Sequence, residues 1–357
     1  MANVAHHGVI EMEDGPHHIE RERSIFLMVS PVHKTKLKSE IKKLIPCLIA
    51  EFLANWFILA TATAITSMML YYKPSPFERA FNGLAFPWGM SFTFCIYAIG
   101  GVSGAHLNFS VTVSFAAFRG FEWWKTLPYF FAQVLGGTCG TLNMWLTYYP
   151  LGYALANGKP LDQSPEMAAA FFNNANQEYY TTIHSFAIQL YYTAFLVFMI
   201  FAFTDPYNPM APGASMFPLL IGLLVMELGD SLGDIGQFTI NPSRDLGARI
   251  AGAMIGFGHL ALPGVGGMLW ANQCGSVIGG VVGGLIYESL VRPFFPTVEE
   301  LGPTIHMKRM EYIWNFLRGR KNVQLQDSSI SHQIEGNDTS GTADNTKHVI
   351  KEEEKFS

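Results

Sequence analysis

The sequence predicts an all-α membrane protein with six transmembrane helices and two re-entrant half-helices, arranged as an inverted internal repeat. Three observations lead to this fold class. Only 14% of the 357 residues are charged, against about 25% in soluble domains. The apolar residues fall into stretches close to the roughly 20 residues that a bilayer core requires. The two halves of the chain also show the same order of features.

The charged residues lie mainly at the ends of the chain and divide it into three parts. Residues 1–44 form a polar, basic arm, residues 45–291 form the membrane domain, and residues 292–357 form a tail whose composition is typical of disorder. Basic residues flank the first and the last span, which places both termini in the cytosol. The plasma membrane is the default location for such a protein.

Six apolar stretches have the length of membrane spans: 46–70, 86–102, 126–148, 184–204, 215–232 and 268–291. Two more, 109–118 and 242–257, are too short to span yet too apolar for loops, so we predict half-helices. Three spans lie in each half, 46–148 and 184–291. The second half therefore enters the membrane from the opposite side, and the half-helices meet N-terminus to N-terminus near the midplane.

Each half-helix follows a turn that ends in an asparagine. The two motifs are Asn108-Phe109-Ser110 and Asn241-Pro242-Ser243. Each asparagine can cap its own half-helix while its side-chain amide points a donor into the lumen. Two positive helix ends and two amides would then repel a cation at one point, whereas water or a hydroxyl can still form hydrogen bonds there.

Three other polar residues stand out in the apolar sequence. Glu51 in the first span is expected to accept hydrogen bonds from backbone N–H groups of the first turn, rather than to relay protons. Gln189 is its counterpart in the second half and can also accept, but its amide brings donors that need partners. His106 is equally compatible with a core histidine and with a lumen residue.

These motifs resemble those of the major intrinsic protein (aquaporin) family. The resemblance is carried by Gly-Val-Ser-Gly-Ala-His-Leu-Asn at 101–108 and Asn-Pro-Ser-Arg-Asp at 241–245. Asp245 and Arg249, which follow the second asparagine motif, resemble the residues found there in the family's aquaglyceroporin branch. The resemblance implies a right-handed bundle with one pore per subunit, usually a homotetramer, that passes water and small uncharged solutes such as glycerol. Residues 45–291 would be the channel domain, with no cofactor.

The resemblance also implies a selectivity filter formed by Trp88, Gly229, Phe238 and Arg244. Arg244 would supply donors to a hydroxyl edge, and the two aromatic rings would face the carbon backbone of a polyol. Gly229 stands where a strict water channel typically has a histidine, which implies a wider opening. Such aromatic residues are also common in membrane cores, but their spacing from the motifs favours the filter.

Phe109 and Ser110 depart from the Pro-Ala that is usual in the family, so the rigid first helical position is lost. The phenylalanine could displace the pore, narrow it or simply repack. The alternative function is therefore a protein that keeps the fold with a closed or gated pore, in a structural or regulatory role, or a water-dominant pore.

Other classes of function are less well supported by the sequence. An ion-coupled transporter or a membrane enzyme would need paired intramembrane acids or a catalytic cluster, and Glu51 stands alone in its span. We expect no catalysis, no metal and no nucleic-acid partner. The expected partners are the lipid bilayer, water and glycerol.

Overall fold

The computed structural model describes residues 31–72, 83–174, 178–233 and 235–295, and all regular secondary structure within these ranges is helical. The predicted arm before residue 31 and the predicted tail after residue 295 lie outside the described residues.

Six long helices and two half-helices form the described bundle. The long helices are α1 (Pro31–Tyr71), α2 (Ala85–Ser103), α4 (Thr126–Ala156), α6 (Thr182–Thr204), α7 (Phe217–Leu232) and α9 (Met268–Leu290). The half-helices are α3 (Phe109–Phe118) and α8 (Pro242–Ile255), and α5 (Pro165–Ala168) is a single turn. The predicted all-α architecture is confirmed. Helix α1 begins within the segment predicted as an arm, and α4 continues past Pro150.

Length and composition mark four described stretches as able to cross a membrane: 39–71, 85–103, 182–204 and 258–294. Helices α4 and α7 complete the set of six. Helix α7 has 16 residues, about 24 Å at the helical rise, which is short for a bilayer core of roughly 30 Å. Helix α4 carries buried polar residues such as Gln133 and Thr141, which lower its hydropathy.

Glycines bring the long helices into contact at equivalent points of the two halves. A Cβ atom added to Gly136 of α4 would overlap the carbonyl oxygen of Phe52 in α1. A Cβ atom added to Gly279 of α9 would overlap the carbonyl oxygen of Leu190 in α6. Phe52 and Leu190 each follow the buried polar residue of their own half. The two halves therefore have the same register, as the predicted repeat requires.

Helices α2 and α7 cross where Gly89 meets Gly222. A Cβ atom on either glycine would overlap or crowd the carbonyl oxygen of the other, because the two backbones are in direct contact. Small residues permit such close approach between membrane helices. Because α2 belongs to the first half and α7 to the second, this crossing is a direct contact between the two halves of the repeat.

A buried ion-pair cluster anchors the C-terminal end of α3. Arg119 Nε lies 2.8 Å from Glu288 Oε1, and Arg292 Nη1 lies 2.8 Å from Glu288 Oε2. Arg292 Nε lies 3.1 Å from Asp205 Oδ2, which also accepts a 3.0 Å hydrogen bond from the Tyr287 hydroxyl. The two positive and two negative charges balance, as buried charges require. Arg292, which the sequence places in the tail, is thus part of the bundle.

The crossing of α2 and α7 yields a stability prediction. We expect Gly89→Ala to destabilise the protein by about 1–3 kcal/mol, the usual cost of overpacking, because the new methyl group must push α7 away. Gly101→Ala, on the same helix, is the control, since its Cβ would have nothing within 4 Å. Thermal unfolding in detergent measures both variants. Equal midpoints for Gly89→Ala and wild type would show that the two backbones do not touch.

Candidate pore and filter

The two half-helices meet at their N-termini through reciprocal hydrogen bonds. Asn108 Nδ2 donates to the carbonyl oxygen of Ile240 at 2.9 Å, and Asn241 Nδ2 donates to that of Leu107 at 2.8 Å. Leu107 and Ile240 each directly precede the asparagine of their own half, and both have left-handed backbone, with φ of 53° and 40°. Such a conformation costs about 1–3 kcal/mol and persists only when its surroundings enforce it.

Each asparagine also caps its own half-helix, as predicted. Asn108 Oδ1 accepts from the backbone N–H of Ser110 at 2.9 Å, and Asn241 Oδ1 accepts from that of Arg244 at 3.2 Å. Both asparagines line the cavity described below. Because one N–H of each amide is used across the junction, one N–H per asparagine is left for a solute.

Glu51 fixes the first turn with both oxygens of its buried carboxylate. Oε1 accepts from the Ser103 hydroxyl and the His106 backbone N–H, each at 2.8 Å. Oε2 accepts from the Leu107 backbone N–H at 2.7 Å and from Gln133 Nε2 at 2.8 Å. These contacts agree with the predicted role of a structural acceptor. The hydrogen bond from the Leu107 N–H also holds this residue in its left-handed backbone conformation.

Gln189 fixes the second turn in a different way. Its Oε1 accepts from the backbone N–H of Ile240 at 2.9 Å, and its Nε2 donates to the backbone carbonyl of Gln237 at 2.6 Å. The Gln237 side chain in turn donates to the Ser185 hydroxyl at 2.7 Å. The donors that glutamine brings in place of a carboxylate are therefore engaged.

Gln133 on α4 joins the two halves at the junction. Besides donating to Glu51, it accepts from the Ser243 hydroxyl of α8 at 2.7 Å through Oε1. Pro242 occupies the first turn of α8, where its fixed φ suits a helix start. The hydroxyl of Ser110, at the matching place on α3, is buried without a hydrogen-bond partner within the described ranges. Gln133 has no motif around it, so the sequence does not reveal its role.

Three of the four predicted filter residues lie together, and they line the same cavity as the two asparagines at the junction of the half-helices. The guanidinium carbon of Arg244 lies 4.6 Å from the centroid of the Trp88 ring. The rings of Trp88 and Phe238 are 5.9 Å apart and nearly perpendicular, at 84°. The Trp88 indole N–H donates to the Thr66 hydroxyl at 3.1 Å, which fixes the ring. Arg244 Nη1 lies 3.5 Å from the Phe238 carbonyl oxygen.

Gly229, the fourth predicted filter residue, lies behind Phe238 at the contact between α7 and α2. A Cβ atom there would be 2.9 Å from the Ala85 Cβ and 3.5 Å from the Phe238 ring. A larger residue would therefore press on both. That Gly229 widens the opening stays a prediction.

A narrow cavity runs from the filter to the junction, with an apolar and a polar set of lining residues. The apolar set is Trp88, Phe92, Leu196, Val225, Phe238 and Ile240, and the polar set is Asn108, Thr239, Asn241 and Arg244. The cavity therefore suits a small solute with one apolar edge and one hydrogen-bonding edge.

Neither Phe109 nor His106 is among the residues that line this cavity. The Phe109 ring lies 4.5 Å from the Phe130 ring of α4, which agrees with repacking among the outcomes that the sequence leaves open. The His106 ring lies 4.7 Å from Phe121 and 5.2 Å from Tyr129. His106 is thus part of an aromatic cluster.

Asp245 binds Arg249 rather than Arg244, the predicted filter arginine. The Asp245 carboxylate accepts from Arg249 Nε at 2.8 Å, and both side chains are fully buried. Arg249 Nη2 also donates to the carbonyl oxygen of Asn173 at 2.6 Å. Segment 171–174 is thereby attached to α8. Nothing in the sequence pattern around Asn173 marks it for this contact.

Replacing the central carboxylate tests whether Glu51 supports the junction. Glu51→Gln loses acceptor capacity for the donors of the first turn, and each hydrogen bond to a charged group contributes about 1.5–3 kcal/mol. We expect a clearly lower unfolding midpoint in detergent and a lower rate of solute flux. The control is Glu122→Gln, since Glu122 is exposed and pairs with Lys125. A Glu51→Gln variant as stable as wild type would contradict this role.

Two half-helices whose positive ends meet beside an amphipathic cavity, within a helical membrane bundle, define a membrane channel. A model of the Major intrinsic protein family matches residues 38–287. The chain belongs to this family, whose members are channels and not enzymes.

Relatives of known name support the same assignment. The glycerol uptake facilitator protein of Escherichia coli K12 is 31% identical over 215 residues, which cover 58% of this chain and 76% of that protein. Aquaporin-9 of Homo sapiens is 31% identical over 217 residues, covering 61% and 73%. The aquaglycerol porin AQY3 of Saccharomyces cerevisiae is 35% identical over 216 residues, covering 59% of this chain but only 32% of the yeast protein.

A solved structure shows the fold. The aquaglyceroporin from Plasmodium falciparum aligns with a TM-score of 0.63 and 23% identity, over 71% of this chain and 99% of that chain. The resemblance that the two motifs suggest is therefore confirmed for the family and for its aquaglyceroporin branch.

Proposed function

We propose that this protein is a passive channel for glycerol, other small uncharged polyols and water, and that it excludes ions and protons. The observation that carries the proposal is the two-sided filter, in which Arg244 faces the right-angled pair of rings of Trp88 and Phe238. The names of the relatives point to the same solutes.

The chemistry of a polyol matches the two sides of the cavity. Its carbon backbone can lie against the rings of Trp88 and Phe238, while its hydroxyls accept from the Arg244 guanidinium and the asparagine amides. Water could also pass, but it has no carbon edge to cover the apolar lining. Burying a hydroxyl costs about 1–3 kcal/mol in proteins unless it is hydrogen-bonded, so the polar edge is essential for passage.

The same groups oppose the passage of cations. The N-termini of α3 and α8 carry partial positive charge and lie together at the junction. Arg244 adds a full charge, and the neighbouring carboxylate of Asp245 is engaged by Arg249 instead. An entering cation would lose water ligands to a lining that is largely apolar.

The assembly and orientation form part of the same proposal, namely a homotetramer in the plasma membrane with both termini cytosolic. Large apolar side chains such as Phe57, Phe94 and Tyr191 are more than half exposed on the bundle and need lipid or a neighbouring subunit to cover them. Lys43, just before the first predicted span, and Lys125, just before α4, fit the positive charge expected on the cytosolic side.

Flux through purified protein tests the proposed function. We expect proteoliposomes to take up glycerol faster than protein-free liposomes in stopped-flow light scattering. The alternative of a closed or structural pore predicts equal rates. The channel would be refuted by protein that shows a cooperative thermal unfolding transition, and is therefore folded, yet gives no glycerol flux.

Removing one ring of the filter should change solute preference. We expect Trp88→Ala to raise the permeability ratio of a four-carbon polyol to glycerol about three- to tenfold. The loss of the indole ring widens the apolar side of the filter and removes one large apolar contact. Phe94→Ala is the matched control, since Phe94 lies on the same helix and is 64% exposed. An unchanged ratio in Trp88→Ala would show that the filter lies elsewhere.

A further inference from the structure

Asn173 contacts the backbone of the filter from outside the cavity. Its Nδ2 donates to the Phe238 carbonyl oxygen at 2.5 Å and lies 3.5 Å from the Thr239 hydroxyl. The cavity is lined by Phe238 and Thr239 but not by Asn173. A solute in the pore would therefore meet the filter without touching this asparagine.

The backbone of Asn173 is itself held in place. Its carbonyl oxygen accepts from Arg249 Nη2 at 2.6 Å and from Asn272 Nδ2 at 3.5 Å. Arg249 is fully buried and paired with Asp245 of the same half-helix. The backbone of Asn173 is thus fixed by hydrogen bonds from α8 and α9, while its side chain contacts the filter backbone.

The Phe238 carbonyl oxygen is shared between Asn173 and the filter arginine. Arg244 Nη1 lies 3.5 Å from this oxygen, at the long end of a hydrogen bond, whereas the Asn173 amide is close. Because the Asn173 amide already donates to the Phe238 carbonyl oxygen, this oxygen attracts the Arg244 guanidinium less strongly. Arg244 instead lies over the Trp88 ring, where it limits the width of the filter.

We propose that Asn173 is a specificity-determining positioning residue, which fixes the Phe238 carbonyl and thereby the distance between Arg244 and Trp88. The proposal rests on the proposed function, since it assumes that Trp88, Phe238 and Arg244 select the solute. Without the Asn173 amide, Arg244 moves toward the free carbonyl oxygen and away from the indole ring. The filter then opens toward larger polyols.

Asn174 separates this role from simple anchoring of the loop. Its Nδ2 donates to the Leu260 carbonyl oxygen at 2.9 Å, and its Oδ1 lies 3.3 Å from Arg249 Nη1. It therefore ties the same segment to the bundle as its neighbour does. Its hydrogen bonds go to Leu260 and Arg249, not to the filter backbone.

The experiment compares Asn173→Ala, Asn173→Asp and Asn174→Ala in proteoliposomes by stopped-flow light scattering with glycerol and with erythritol. We expect both Asn173 variants to raise the erythritol-to-glycerol permeability ratio about two- to tenfold, the factor that corresponds to one hydrogen bond. The aspartate variant keeps the shape of the side chain and removes its donor. Asn174→Ala is expected to keep the wild-type ratio even if it lowers stability.

Three results would overturn the proposal. They are an unchanged ratio in both Asn173 variants while glycerol still passes, an Asn173→Asp channel that behaves as wild type, or an equal change in Asn174→Ala. Failure of the proposed function is distinguishable, because it would appear as absent glycerol flux in the wild-type protein. In that case the positioning role fails with it.

Discussion

The structure depends on the reciprocal pair of hydrogen bonds between Asn108 and Asn241 and the carbonyls that precede them. Two helix ends are held in the interior of a membrane protein, where no bulk water satisfies their free N–H groups. The side-chain oxygen of each asparagine accepts from an N–H of its own half-helix. The side-chain N–H of each asparagine donates to a carbonyl of the other half. Left-handed backbone at Leu107 and Ile240 presents those carbonyls. The supporting contacts of Glu51, Gln189 and Gln133 all serve this geometry.

The repeat is regular in its backbone and unequal in its chemistry. Glycines keep α1 against α4 and α6 against α9 in the same register. Glu51 accepts four hydrogen bonds, whereas Gln189 accepts one and donates to the Gln237 backbone. Only the second motif carries an arginine three residues after its asparagine. The proposed filter therefore draws its arginine from the second turn, while the first turn contributes its cap and its amide.

Much of this arrangement follows from local sequence. Apolar length predicts the spans, and an asparagine before an apolar run predicts each capped half-helix. The grouping of Trp88, Phe238 and Arg244 follows from the family resemblance rather than from composition. Contacts between distant segments could not be predicted, because no local pattern encodes them. Gln133 links α1 to α8, and Asn173 reaches the proposed filter from a loop. The charges of Arg119 and Glu288 pair across nearly half of the chain.

The central claim is that the junction passes uncharged polyols and rejects protons. The most direct measurement uses wild-type proteoliposomes that contain a pH-sensitive dye, with an imposed pH gradient and an imposed glycerol gradient. We expect glycerol to enter in proportion to its own gradient, whatever the pH difference, and the pH gradient to decay no faster than in protein-free liposomes. Accelerated decay of the pH gradient, or glycerol uptake that requires it, would contradict the account.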